Sequence, residues 1–213
     1  MFKPQAEKFG PDAKAMTTAS SMKKLPKAER RAQLLETAQE MVREEGTDAL
    51  TLARVAERAG VSKPIAYEHF GTRAGLLMAL FSSYSDMQLE TQREALAACG
   101  KTLRDVAGIL GEAYVRCASR AGPEAGAVYA ALSGTEEMDE FRQTLRNGYL
   151  AEYRQAVSHF VDLPENIGDP VLSGLLGAAE AVSRDTAAGR ISYDDAVAAL
   201  TELFTATLER FRR

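Results

Sequence analysis

The sequence predicts an all-α protein of about nine helices, a small N-terminal helix-turn-helix head followed by a larger helical body. Three observations carry that prediction. Apolar residues recur at the three- and four-residue intervals of one helix face. Val, Ile, Thr and aromatic residues never gather into the alternating runs that a half-buried strand needs. Gly, Pro, Ser and Thr fall where such helices would stop and start.

Residues 1–24 are rich in Pro, Gly, Ser, Thr and Ala without an apolar period, and are expected to form a disordered tail. A first helix is expected from Pro26 to Glu45 on the stripe Leu34, Leu35, Ala38, Met41 and Val42, with Gly46 ending it. Thr51 suits the cap of a second helix whose inner face is Leu52, Val55, Ala56 and Ala59. Gly60-Val61 then makes a tight turn, Ser62 caps the third helix, and Gly71 closes it. Thr72 opens a longer fourth helix with Leu76, Leu77, Leu80, Phe81, Tyr84 and Met87 facing inward. On this reading residues 25–73 form the head and 74–213 the body.

The body has the same texture. Gly100 precedes a helix carrying Leu103, Val106, Leu110, Tyr114 and Cys117, and Gly122-Pro123 breaks the chain before a short segment with Val128, Tyr129 and Leu132. Ser133 and Glu136 have capping-box spacing for a helix through Phe141, Leu145, Tyr149, Tyr153 and Phe160. Asp169-Pro170 suits a helix start with Asp at the cap and Pro in the first turn, Gly189 ends that helix, and Ser192 with Asp195 caps the last.

Composition narrows the function classes. Of 213 residues 46% are hydrophobic and 26% charged, as in an ordinary folded chain. No apolar run reaches the ~18–20 residues of a membrane span. The first segment lacks the apolar middle of a secretory signal, so a cytoplasmic location and no membrane partner are expected. Cys99 and Cys117 fit neither a zinc spacing nor a disulfide framework, and read as small core residues in preference to redox sensors. His159 has no partner visible in the sequence and reads as structural. There is no nucleophile–base set, metal constellation or phosphate-cradling loop, so neither an enzyme nor a cofactor is expected.

The net charge of −4 seems wrong for a nucleic-acid binder until it is divided along the chain. Residues 22–75 hold ten Lys/Arg against eight Asp/Glu, whereas residues 76–213 hold thirteen against twenty. Lys27, Arg30 and Arg31 lie near the start of the first helix, and Lys63 and Arg73 start the third and fourth. Cations there oppose the helix dipole by about 0.3–1 kcal/mol each unless solvent screens them. Phosphate anions would compensate that cost.

The decisive stretch is Thr51 to Phe70, TLARVAERAGVSKPIAYEHF. Two short helices about a Gly-containing turn pack closely when a small residue such as Ala56 lies between them. Val61, Ala66 and Phe70 would face the core, leaving Lys63, Pro64, Ile65, Tyr67, Glu68 and His69 outward. Across residues 31–77 the chain resembles the TetR family of transcriptional regulators. The resemblance is carried by Arg31, Leu34-Leu35, Ala38, Gly46, Thr51, Val55-Ala56, Ala59-Gly60-Val61-Ser62, Tyr67-x-His69-Phe70 and Arg73-x-x-Leu76-Leu77. Ala66 departs from the commoner Leu.

The resemblance implies roles residue by residue. Lys63, Pro64 and Ile65 sit where family members touch base edges, Lys63 donating to guanine and the other two packing on thymine methyls. Thr51, Tyr67, His69 and Arg73 occupy positions that contact the phosphate backbone. His69 has a structural alternative beside Phe70. Tyr114, Tyr129, Tyr149 and Tyr153 lie in the region of the family's effector cavity; the sequence leaves open whether they line it or are core tyrosines satisfied by backbone carbonyls. Leu172, Leu175, Leu176 and Ala179 form one apolar stripe, and Val197, Leu200, Phe204 and Leu208 another. The resemblance implies that these two helices pair with their copies in a homodimer.

The expected function is therefore a regulator, a repressor in the first instance. It would bind a pseudo-palindromic operator in double-stranded DNA as a dimer and be released by a small-molecule effector. The alternatives are an activator, or a helical ligand-binding or scaffolding protein with a vestigial helix-turn-helix.

Overall fold

The computed structural model describes residues 25–213. They form α1 (Lys27–Glu45), a 3-10 turn (Thr47–Ala49), α2 (Leu52–Arg58), α3 (Lys63–Phe70), α4 (Arg73–Cys99), α5 (Leu103–Ala131), α6 (Glu136–Val157), α7 (Gly168–Ala187) and α8 (Tyr193–Glu209). The all-α expectation holds: the extended pairing among these residues is one bridge between Val161 and Arg212. The tail expected over residues 1–24 lies outside the described residues.

Local chemistry sets most helix ends. Thr51, Thr72, Thr102, Thr135 and Ser192 each accept a backbone N–H from the residue three further on, which satisfies a donor that the first helical turn leaves orphaned. After α2, Gly60 at φ 68° lets Val61 donate to the Ala56 carbonyl and Gly60 donate to that of Glu57. That pair of bonds is the Schellman closure, and it fixes the turn into α3. Two starts differ from expectation. Thr135 caps α6, while Ser133 donates back to the Ala130 carbonyl at 3.0 Å. Helix α7 begins at Gly168, so Asp169 lies inside its first turn and meets Arg154 at 2.6 Å.

The break expected at Gly122-Pro123 is present, as a kink at which two helical stretches meet within α5. Gly122 takes φ 68° and ψ −173°, a region closed in practice to residues with a Cβ. The kink sends the two ends of α5 to different cores. Leu103, Val106, Ala107 and Leu110 join α6, α7 and α8 in the core of the body. Val128 and Leu132, beyond the kink, join α1 to α4 in the core of the head, together with Met138 of α6. The head is thus not closed by residues 25–73 alone, and the boundary expected at residue 73 runs through shared packing.

The two stripes assigned to a dimer interface have another destination. Leu172, Leu175, Leu176 and Ala179 of α7, and Leu200, Phe204 and Leu208 of α8, are buried within one chain, with Val197 half-buried against the same core. They pack on α5, where Gly108 and Gly111 leave room for α8. A Cβ on Gly111 would come within 2.8 Å of the Leu200 Cβ. These residues are not the surface offered to a second copy.

Gly122→Ala tests the kink. It is expected to destabilise the protein by about 1–3 kcal/mol, at roughly 2–4 °C of Tm per kcal/mol for a chain of this size. Calorimetry measures it, and an unchanged Tm would show that the kink is not held by this residue.

Candidate nucleic-acid interface and effector cavity

Helix α3 presents the face that the sequence predicts, with two adjustments. Thr51, Lys63, Pro64, Tyr67 and Glu68 are exposed, Tyr67 most clearly at 51%. Ala66 and Phe70 are buried in the head core, so the smaller Ala66 still serves as an inward contact. Ile65 is only half outward, because part of it packs on that core. His69 is half-buried beside Phe70, with ring centroids 6.1 Å apart. Burial lowers its pKa and the nearby Lys27 and Arg31 act in the same sense, against an opposing pull from Glu68. Its imidazole is thereby biased toward the neutral form, which keeps one N–H donor.

The cations of the head divide into two sets. Arg54 pairs with Glu45 at 2.6 Å, and Arg58 with Glu44 and Glu45, tying α2 to the end of α1. Arg43 pairs with Glu124 of α5 at 3.3 Å. These charges are answered within the chain. Lys63 has no ion-pair partner among the described residues, and Lys27 meets only the exposed Glu68 at 3.1 Å, a contact that water and salt weaken. Ser62 precedes α3 without a side-chain cap, but Pro64 has no N–H and the Ile65 N–H donates to the Ser62 carbonyl at 3.0 Å, so the first turn offers charge and shape more than free donors.

Arg73 behaves differently from the phosphate contact implied for it. Its Nε donates to the Leu50 carbonyl at 2.9 Å and its Nη2 to that of Thr47 at 2.7 Å. It thereby fastens the start of α4 to the chain entering α2. Gly75 tightens the same joint, since a Cβ there would lie 2.1 Å from the Phe70 carbonyl oxygen.

A cavity of about 160 Å³ opens in the body, between α4, α5, α6 and α7. Tyr114, Tyr129 and Tyr149 line it, as one reading of the sequence had it. Tyr153 does not. It is fully buried, with its ring edge-on to Phe204 at 5.9 Å, and belongs to the body core. The sequence reading missed the polar wall: Ser85 and Gln88 from α4, Arg142 and Arg146 from α6, and Glu180, Ser183 and Arg184 from α7. A signal for it was present. The inward face of α4 continues past Tyr84 as Ser85, Gln88 and Gln92, while the expected Met87 is 41% exposed. Arg142 stacks over the Tyr129 ring at 4.8 Å and donates to its hydroxyl at 3.4 Å. Burial raises the Glu180 pKa, with Arg146 opposing it from 3.3 Å. Burial also raises the Cys117 pKa, to about 11, so this cavity thiol stays protonated.

Comparison with known proteins agrees with this geometry. Residues 34–80 match the family model described as bacterial regulatory proteins, tetR family. That segment, the helix-turn-helix and the start of α4, is where the likeness to the family lies. The chain is 40% identical over 73 residues to a protein named HTH-type transcriptional activator FasR from Mycolicibacterium smegmatis. That match covers 34% of the chain and 33% of the relative, so the two align over about a third of their lengths. Its fold is that of a TetR-family transcriptional regulator from Rhodococcus sp. (TM-score 0.67, 21% identity, 85% of this chain and 99% of that one). It also resembles the fatty acid degradation regulator FadR from Bacillus halodurans (TM-score 0.68, 18% identity, 89% and 100% covered).

Two outcomes check these assignments. Cys99, which is exposed, is expected to react with a thiol reagent at pH 8 in the native protein, and Cys117 only after unfolding. Equal rates at both would contradict the buried thiol. Arg73→Ala is expected to lower both the Tm and the affinity for every DNA sequence, because it loosens the head as a unit. Lost affinity with unchanged Tm would return Arg73 to a purely phosphate-contacting role.

Proposed function

We propose that the chain is a DNA-binding transcriptional repressor that acts as a homodimer and is released by a small molecule in its cavity. The observation that carries this reading is the exposed start of α3, where Lys63 and Pro64 project from a helix anchored by Ala66 and Phe70. Such a helix enters the major groove by its first turn. Lys63 reads a base edge, Pro64 and the outward part of Ile65 meet methyl groups, and Thr51, Tyr67 and His69 hold phosphates. The compartment that contains the chromosome follows from this role. Among the described residues no helix is long and apolar enough to cross a membrane.

The second copy docks on the outer faces of α7 and α8. Gly174 and Ala181 are exposed on α7, and Ala199, Leu203 and Ala206 on α8, with Leu203 44% accessible. Small residues there let helices approach closely around one large apolar side chain. Pairing through this face sets two α3 helices at half-sites about one DNA turn apart.

The cavity is coupled to the head through α5. Beyond the kink, Ala125 and Tyr129 line the cavity, while Val128 and Leu132 pack in the head core. Arg142 spans both, donating to the Tyr129 hydroxyl and the Leu132 carbonyl at 3.4 Å. A ligand that moves this segment shifts the balance between two head placements, which is all that release requires. One observation favours a second reading: the relative from M. smegmatis is named an activator, and the same docking activates where the bound dimer aids the polymerase.

Selection of bound fragments from genomic DNA, followed by reporter fusions, tests the proposal. A two-fold symmetric consensus is expected, with affinity falling steeply with salt, and expression rising when the chain is removed. Falling expression would establish the activator, and the absence of any preferred sequence would sink both. Lys63→Ala is expected to relax preference at one base position by about 1–3 kcal/mol, whereas Tyr67→Phe weakens binding to all sequences alike. Leu203→Asp is expected to turn a dimer into a monomer in sedimentation without loss of helix content; a persistent dimer would move the interface elsewhere.

A further inference from the structure

The cavity wall specifies the chemistry of what it binds, an inference that rests on reading the cavity as an effector site. Ser85, Gln88 and Ser183 line it and are only 3%, 6% and 3% exposed. Ser183 Oγ and the buried Nε of Arg142 have no hydrogen-bond partner among the described residues, and Ser85 Oγ and Gln88 Nε2 have at most the neighbouring hydroxyls of Tyr149 and Tyr114. The Gln88 amide oxygen already accepts from the Tyr149 hydroxyl at 3.4 Å, so what that side chain has left is a donor. The charges lean the same way. Three guanidinium groups (Arg142, Arg146 and Arg184) face one carboxylate, Glu180, which Arg146 engages at 3.3 Å. Arg184 has no ion-pair partner among the described residues, and Arg142 has only Asp139 at 3.7 Å, outside the cavity. Buried donors and excess cations on one wall call for an anion rich in acceptors.

The remaining wall sets the body of the ligand. Phe81, Tyr84, Tyr114, Tyr129 and Tyr149 present aromatic surface, with Tyr114 and Tyr149 packed 5.6 Å apart. The volume of about 160 Å³ bounds the size. A dry protein cavity of about 150 Å³ takes up benzene. We propose that this cavity binds a small organic anion, a carboxylate carried on a single aromatic ring or an apolar body of that size. The carboxylate lies against Arg142, Arg184 and Ser183, and the ring lies among the tyrosines.

Calorimetric titration of the full chain with sodium benzoate, and with the neutral isosteres benzamide and benzyl alcohol, tests this. Benzoate is expected to bind saturably, one per chain, at least about tenfold more tightly than either isostere, the worth of one charge-assisted hydrogen bond. Arg184→Gln, on an exposed side chain, is expected to weaken benzoate by about the same factor and leave benzamide unchanged. Gly126 lines the cavity and has no atom within 4 Å of a would-be Cβ. Gly126→Leu is therefore expected to fold normally and abolish binding of all three. Isosteres that bind as tightly as benzoate, no saturable benzoate binding, or indifference to both variants would each overturn the proposal. Operator binding followed in the same titrations separates this from the broader reading. Benzamide that binds and releases DNA would remove the anion inference while leaving effector control intact. Arginine-dependent benzoate binding without any change in DNA affinity would keep the ligand class and remove effector control.

Discussion

A head of three short helices buries only a marginal apolar core by itself, and much of the architecture follows from that constraint. Helices α1 to α3 supply Leu34, Val55, Ala66 and Phe70, but the core they begin is completed by Leu76, Leu77 and Leu80 of α4 and by Val128 and Leu132 of α5. The last two reach it because Gly122 bends α5 away from the body. A straight α5 would carry those side chains along with the rest of the helix. The kink is thus a condition for the head to be closed, and closure makes the head sensitive to its neighbour.

The same few turns of α5 explain how a cavity in the body and the head that carries α3 come to share a structural element. Alternate faces of one short helical stretch point to the two compartments, Tyr129 into one and Val128 and Leu132 into the other. Packed cores move between discrete arrangements more readily than they deform smoothly. A stretch committed to two of them transmits displacement without any long chain of intermediates.

What the sequence revealed, and what it concealed, divides along physical lines. The head was legible because its constraints are local: Thr51 caps α2, Gly60 closes a Schellman turn, and Ala66 and Phe70 alternate with exposed neighbours at helical spacing. The destination of the α7 and α8 stripes was not. Leu172, Leu176, Leu200 and Phe204 look the same whether they meet α5 or a second chain, and for α8 the choice is made by Gly108 and Gly111 on a helix about ninety positions earlier. The arginine wall was concealed for a related reason. Arg142, Arg146 and Arg184 belong to two helices, α6 and α7, and only packing against α4 brings them to one cavity with Ser85 and Gln88. Tyr153, placed among cavity candidates because it lies in the region of the effector cavity of the family it resembles, sits one helical turn beyond Tyr149 in the core against Phe204.

The joint at Arg73 has a consequence for the kind of control this fold permits. Its guanidinium holds the carbonyls of Leu50 and Thr47, and Gly75 seats the start of α4 against the end of α3, so the reading helix is hung from α4 with little play of its own. On the proposed function, a signal arriving from the body would move that assembly whole and leave the pattern of side chains on α3 as it was. Control of this sort would act as a dimmer. It would scale occupancy at every DNA site by a common factor, so that the ranking of those sites stayed the same from the dimmest setting to the brightest.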